Sequence, residues 1–276
     1  MKSVTLDLGK MPTELKDGIA QYYLDEDKTN CLNDYLGQKI KINFKQSIHC
    51  VACGRLTKKS FNQGYCFPCV RSLAQCDTCI VKPELCHYHQ GTCREPQWGE
   101  AHCLKTHFVY LANTGAVKVG ITRERNIPHR WIDQGATQAL PILQVNQRLI
   151  SGLAETAFKA HVADKTNWRE MLKGFPTELN LYEQRDMLFS QVKPALEALQ
   201  QQYGANAVEA VVDQNIIQIE YPLMEYPAKI QSLNLDKTPT IQGRLLGIKG
   251  QYFILDIGVI NIRKYGGYHC EVSLGG

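Results

Sequence analysis

Apolar and polar residues follow one another differently in successive parts of this chain, and each change of pattern predicts a change of structure. Residues 107–111 and 117–122 are dense in β-branched and aromatic positions and read as two strands, with Asn113-Thr114-Gly115 as the hairpin turn between them. A loop holding Pro128 leads to a short helix around Arg130, Trp131 and Ile132 that Gly135 should close, and 142–145 reads as a further strand. Ser151 suits an N-cap for a helix running to about Val162, with Leu153, Ala157 and Phe158 on its apolar face. Leu181, Leu188, Val192, Leu196, Leu199 and Tyr203 recur near heptad spacing, which predicts a helix over 177–203, kinked or split at Pro194 and ended by Gly204. A stripe of this kind packs into a core. Beyond Val208, short β-branched stretches predict strands at 216–220, 229–235, 241–248, 251–255 and 259–262, with a hairpin turn at 247–250. The strand-like 38–44 would join them in a small antiparallel barrel or curled sheet and bring the chain ends together.

Between residues 50 and 103 the apolar periodicity lapses and cysteine takes its place. Nine of the eleven cysteines lie there. Cys50-x2-Cys53 and Cys66-x2-Cys69, with Gly54 and Gly64 beside them, have the spacing of two knuckles that aim four thiolates at one tetrahedral metal. Zinc is favoured over an iron–sulfur cluster, because the close C-x2-C-x2-C-x3-C run is missing. Cys76-x2-Cys79 offers a third knuckle, whose partners must come from Cys86, His87, His89, Cys93, His102 and Cys103. Thiolates are preferred, which leaves Cys86, Cys93 and Cys103 competing for two places, and interleaved pairing between the centres stays open. One or two structural zinc ions are therefore expected. Cys31 and Cys270 lie outside the cluster and read as plain thiols.

The composition is that of a folded protein, with 44% hydrophobic and 21% charged residues and a formal charge of +4. Such a charge permits an anionic partner without demanding one. The N-terminus lacks a signal-peptide core, and no stretch approaches the roughly 18 apolar residues of a membrane span, so a cytoplasmic, reducing location is expected. A thioredoxin-like role for Cys76-x2-Cys79 lacks the βαβ pattern it would need.

The segment after the cysteines, about 107–170, carries V-Y-L on its first strand, K-V-G-I-T on its second, R-W on the next helix and a glutamate on the one after. This order resembles the GIY-YIG nuclease superfamily, in the branch whose second motif is K-I-G or K-V-G. The resemblance implies that Tyr110 is the first-motif tyrosine, Gly120 the second-motif glycine, Arg130 the helix arginine and Glu155 the glutamate that holds Mg2+ or Mn2+. Lys118 stands where many members have tyrosine. It further implies metal-dependent phosphodiester cleavage, with Tyr110 and Lys118 as the base, Arg130 on the phosphate, and a metal at Glu155 stabilising the leaving oxygen. Gln134 replaces a frequent histidine, and Asn167 is the candidate for a late asparagine. The whole chain is also similar to a bacterial, zinc-containing family of unknown function, through phrases at 57–65, 91–100 and 131–136.

The expected architecture is α+β. N-terminal strands occupy 1–48, a zinc-ribbon-like module 49–105, a GIY-YIG-like α/β domain with a helical extension 106–205, and a small β domain 206–276. On the last, Lys249, Tyr252, Arg263, Lys264, Tyr265 and Tyr268 mix cations with aromatics, a combination small barrels use to stack bases and hold phosphates. Nucleic acid, DNA or RNA, is therefore the expected partner. Two functions compete: a metal-dependent endonuclease, and a non-catalytic adapter that binds DNA, RNA or a ribonucleoprotein with a degenerate domain of this kind.

Overall fold

A computed structural model of the chain describes residues 2–174, 176–227 and 230–276. The N-terminal part holds β1 (Lys2–Asp7), the hairpin β2 (Thr13–Lys16) and β3 (Ile19–Tyr22), and the long β4 (Lys39–Ile48). The cysteine-rich segment contains only single 3₁₀ turns and two short helices, α1 (Phe67–Ser72) and α2 (Pro96–His102). There follow β5 (His107–Asn113), β6 (Val117–Arg123), α3 (His129–Asp133), β7 (Gln138–Val145), α4 (Arg148–Lys159), α5 (Trp168–Lys173) and α6 (Leu181–Tyr203). The chain ends with β8 (Val208–Ala210), β9 (Ile217–Gln218), β10 (Thr240–Lys249), β11 (Tyr252–Leu255), β12 (Gly258–Asn261) and β13 (Tyr268–Leu274). The fold is mixed α+β with antiparallel sheets. None of the described helices is long and apolar enough to cross a membrane.

Two sheets organise it. The first runs β1-β13-β4-β10-β11-β12, so strands from both chain ends interleave in one layer. It is open, with β1 and β12 at its edges, rather than a closed barrel. The second runs β6-β5-β7-β8, with β9 also on β7. Alternation along β5 buries both of its faces. Val109 and Leu111 pack with Phe158 of α4 and Leu188 of α6, while Tyr110 and Ala112 join a core shared with Trp131, Ile42 and Phe253. The second sheet is thus wedged between two helices and the first sheet.

Several expected elements differ in detail. The helix with Glu155 begins at Arg148, with Gln147 as its N-cap. Ser151 lies inside it, buried, its hydroxyl donating to the Arg148 carbonyl at 2.7 Å. α6 runs unbroken through Pro194. That proline faces solvent, where water can satisfy the carbonyl it leaves free, and the buried Leu188 and Val192 hold the helix on its other side. The strand expected at 216–220 shrinks to Ile217–Gln218 and joins the second sheet. Lys229 lies outside the described residues, and 230–235 gives only an isolated bridge from Ser232 to Val259. The hairpin turn falls at Gly250–Gln251, two residues beyond the centre of the expected 247–250, and a bulge between Leu245 and Gly247 shifts the strand register.

Candidate metal centre and anion site

The first cysteine cluster assembles as its spacing demands. The chain turns after Cys50 so that the Gly54 N–H donates to the Cys50 carbonyl at 2.8 Å, with Gly54 at φ +70°. Gly64 is needed for space: a Cβ there would stand 2.5 Å from Val51. Cys66 precedes α1 and Cys69 lies on it. The sulfurs of Cys50, Cys53, Cys66 and Cys69 all lie within 4.8 Å of one another. Cys53 and Cys66 are 3.8 Å apart, which matches the edge of about 3.8 Å that a tetrahedron with metal–sulfur bonds of about 2.3 Å requires. Burial pushes the Cys50 thiol up, but the backbone N–H groups of Cys66, Cys53 and Ala52 outweigh it and bring it down to about 6. Cys69, hydrogen-bonded first to Cys66 and also partly desolvated, is pushed up to about 12.

Cys76 does not join Cys79. Its nearest charged neighbours are Arg94 and the first-cluster sulfurs Cys50 and Cys66. Cys79 instead faces Asp77, Cys86 and Cys103. Cys76 ends one 3₁₀ turn, Cys79 lies in the next, and the backbone at Asp77 between them is extended. Among the described residues, the metal-capable groups within 4.8 Å include Cys79, with Asp77 and His87, and none includes Cys76. Cys86, Cys93 and Cys103 do gather near Cys79, around one small cavity.

The second cluster of interest lies on the β5–β6 hairpin. Register sets Tyr110 opposite Gly120. The tyrosine ring covers the glycine so closely that a Cβ would stand 2.6 Å from its hydroxyl. Tyr110 is fully buried and its hydroxyl donates to Gln134 Oε1 at 2.8 Å, with Arg130 alongside. Burial raises its pKa more than Arg130 lowers it, so it is a protonated donor. Lys118 is 2% exposed, its ammonium bonded among the described residues only to Thr166 Oγ1 at 3.3 Å, and burial with Arg130 nearby brings it down to about 8. Glu155, on α4, is buried and its pKa is raised by desolvation, which Lys159 opposes. Tyr110, Lys118, Gly120, Arg130 and Glu155 thus converge.

Three further residues belong to this cluster. Lys159 lies 3.1 Å from Glu155 and 3.4 Å from Asp164, so one ammonium bridges two carboxylates. Gln134 holds the Tyr110 hydroxyl. The i,i+4 spacing of Glu155 and Lys159 was a legible signal, whereas Asp164 arrives through a turn that folds 160–166 back along β6, with the Val119 N–H donating to Ala163. Asn167 is placed otherwise than expected: its side chain accepts from the N–H groups of Arg169 and Glu170 and caps α5.

The supposed aromatic and cationic face of the C-terminal strands is also corrected. Lys249 is 1% exposed between Tyr221 and Tyr226, and Tyr265 is buried with its hydroxyl accepting from the Leu235 N–H. Tyr252 stacks on Trp168 at 5.5 Å. These rings and the ammonium are occupied in packing. Tyr268 and Lys264 do line a groove of about 940 Å³ with Lys58 and Lys59. Arg263 lies elsewhere, near Asp133 and Arg130.

No curated protein and no solved structure matches the chain. A family model described as a protein of unknown function, DUF2797, matches residues 37–270, which include both cysteine clusters and every member of the Tyr110 cluster, and the chain belongs to that family.

Proposed function

We propose that this chain is a zinc-containing, metal-dependent nuclease whose reaction centre is the cluster of Tyr110, Lys118, Arg130 and Glu155. The supporting observation is that these side chains, from two strands and two helices, come within electrostatic reach of one another at one place. The GIY-YIG resemblance of the sequence implies a reaction centre at the same residues. Cys50, Cys53, Cys66 and Cys69 hold a structural zinc ion in this reading.

The donors suit a hard divalent cation. Glu155 and Asp164 already converge on one positive charge, the Lys159 ammonium, and carboxylate oxygens are the ligands Mg2+ and Mn2+ prefer. A metal held there by Glu155 would stabilise the charge on the leaving oxygen. The chain's own groups supply the rest. Arg130 offers a guanidinium fork to the phosphate. Lys118, brought down to about 8 by burial, is neutral in part near neutral pH and takes the proton from the attacking water. Tyr110 is a positioning residue that fixes Gln134 and packs on Gly120.

Binding without cleavage is the second reading, and one observation favours it: Lys159 already neutralises Glu155. Incubating the full chain with single- and double-stranded DNA and RNA, in Mg2+ or Mn2+, separates the two. The nuclease cuts at least one substrate, loses cutting in Glu155→Gln and Arg130→Ala, and keeps binding in Glu155→Gln. Absence of cleavage with steeply salt-dependent binding makes it an adapter. With Lys118 as the base, the rate climbs through about pH 8, because only the deprotonated amine accepts a proton. A rate flat between about pH 7 and 9 removes Lys118 from that role.

A further inference from the structure

Arg148, the first residue of α4, is a cation without a counter-ion. One guanidinium nitrogen, Nη2, donates to the Ile80 carbonyl at 2.5 Å, while Nε is out of reach of solvent and has no partner. Arg123, on β6, repeats the pattern with a buried, unpartnered Nη1. Among the described residues no carboxylate pairs with either. The anionic partners within electrostatic reach of Arg148 are the sulfurs of Cys103, Cys79 and Cys86, with Arg130 opposing them, and Cys103 also reaches Arg123, which Arg125 and Arg148 repel. Neutral thiols cannot balance two half-buried guanidinium groups, each with a nitrogen shut off from solvent, and leaving such charges uncompensated is costly.

The same sulfurs enclose a hole. Cys79, Cys86, Cys93 and Cys103, with Asp77 and His87, line a cavity of about 10 Å³, the space of about one water-sized sphere. Cys103 is within electrostatic reach of Cys86 and Cys93, and Cys79 of Cys86 and Cys103, while the ligand atoms within 4.8 Å of one another at this cavity are those of Asp77, Cys79 and His87. Asp77 is already paired with Arg94 at 2.7 Å, and His87 Nδ1 lies 2.7 Å from the Thr92 hydroxyl. Gly99 of α2 lets the wall close, since a Cβ there would stand 2.9 Å from the Tyr88 ring and 3.4 Å from the Cys93 sulfur.

We infer that Cys79, Cys86, Cys93 and Cys103 form a second zinc centre, and that its net negative charge balances Arg148 and Arg123. Four thiolates around Zn2+ carry a net charge of 2−, which is what two guanidinium groups require. The centre also anchors a helix. The Arg148 N–H donates to the Cys103 carbonyl at 2.8 Å, and the turn at Pro83–Leu85 lies on α4 at Gly152, where a Cβ would stand 2.4 Å from the Glu84 nitrogen. This second metal therefore fixes the start of the helix that carries Glu155. The inference does not depend on the nuclease reading.

Native mass spectrometry of the full chain, purified without chelators, counts the metal directly and needs no substrate. The wild type should carry two zinc ions. Cys86→Ser and Cys93→Ser should each carry one, Cys53→Ser should lose the other, and Cys76→Ser and His87→Ala should keep both. A wild type with fewer than two ions overturns the inference. So does an unchanged count in Cys86→Ser, or a drop to one in Cys76→Ser or His87→Ala. Should the serine variants fail to fold, wild-type chain produced in Co2+ medium decides. Two tetrathiolate cobalt centres give twice the sulfur-to-cobalt absorbance of one, and a single-centre intensity sinks the idea.

Discussion

The cysteine-rich segment and the sheet-and-helix unit that follows it are neighbours in sequence held together by different forces. From Cys50 to Cys103 no residue belongs to any of the three hydrophobic cores, and Leu56 and Val81 stand 69% and 77% exposed. From Val109 onward almost every residue of β5 and β7 is buried, and α4 and α6 close over them. The first region has nothing apolar to lose. Its order comes from sulfur clusters, from glycines that permit tight turns, and from bridges such as the Ala74 N–H donating to Glu95 at 2.6 Å. Metal chemistry should therefore govern one region and packing the other.

Chelation breaks the comparison most directly. Structural zinc sites contribute apparent binding free energies of about 10–16 kcal/mol, more than the whole stability of a typical domain, about 5–15 kcal/mol. Stripping the metal should open residues 50–103 to protease while a fragment beginning near His107 survives longer. Equal protection with and without chelator would mean that the segment holds itself together by some other means.

Packing changes should show the reverse preference. Phe158 is fully buried between β5 and α6, and Phe158→Ala should cost about 3–5 kcal/mol, read as a lower urea midpoint. Phe67→Ala, in the cysteine segment, removes a ring that is 55% exposed and touches Phe61 at 5.7 Å. Its effect should stay within about 0.5 kcal/mol. Similar losses from the two would deny that the regions differ.

What could be read from the residues follows the reach of each interaction. The first cysteine cluster was legible because both of its pairs are local and each turn is marked by glycine. The second cavity was not, since the cysteines that line it, Cys79, Cys86, Cys93 and Cys103, come from separate turns and Cys76, which completes a C-x2-C spacing with Cys79, does not line it. The hairpin of β5 and β6 was legible from its apolar runs, and so was the meeting of Tyr110 with Gly120. Lys159 bridging Glu155 to Asp164 was half legible, as one partner is a helical neighbour and the other depends on a returning loop. Tyr268, Cys270, Val272 and Leu274 alternate with polar residues, but the place of that strand between β1 and β4 depends on pairing across the whole chain. For Lys249 and Tyr265, type alone suggested a ligand-facing surface. Only the elements packed over them reveal otherwise.

The smallest effect offers the sharpest discrimination, because it concerns a residue with two possible meanings. Asn167 was a candidate for the late asparagine of a nuclease site, but its side-chain oxygen accepts from the Arg169 and Glu170 N–H groups, at 3.2 and 3.4 Å. Those donors belong to the first turn of α5 and lack partners within the helix. The helix then sets Met171 and Leu172 into the core and stacks Trp168 on Tyr252, so its start helps tie the hairpin region to the C-terminal sheet. Replacing a good N-cap with alanine costs about 1 kcal/mol, whereas aspartate and serine cap about as well as asparagine. Asn167→Ala should therefore lower the thermal midpoint by a few degrees, and Asn167→Asp should restore it. In a nuclease assay both variants should cut like the wild type below their melting temperatures. If the aspartate variant restored stability and yet failed to cut, the amide itself would belong to the reaction centre, and Asn167 would have to be counted with Arg130 and Glu155.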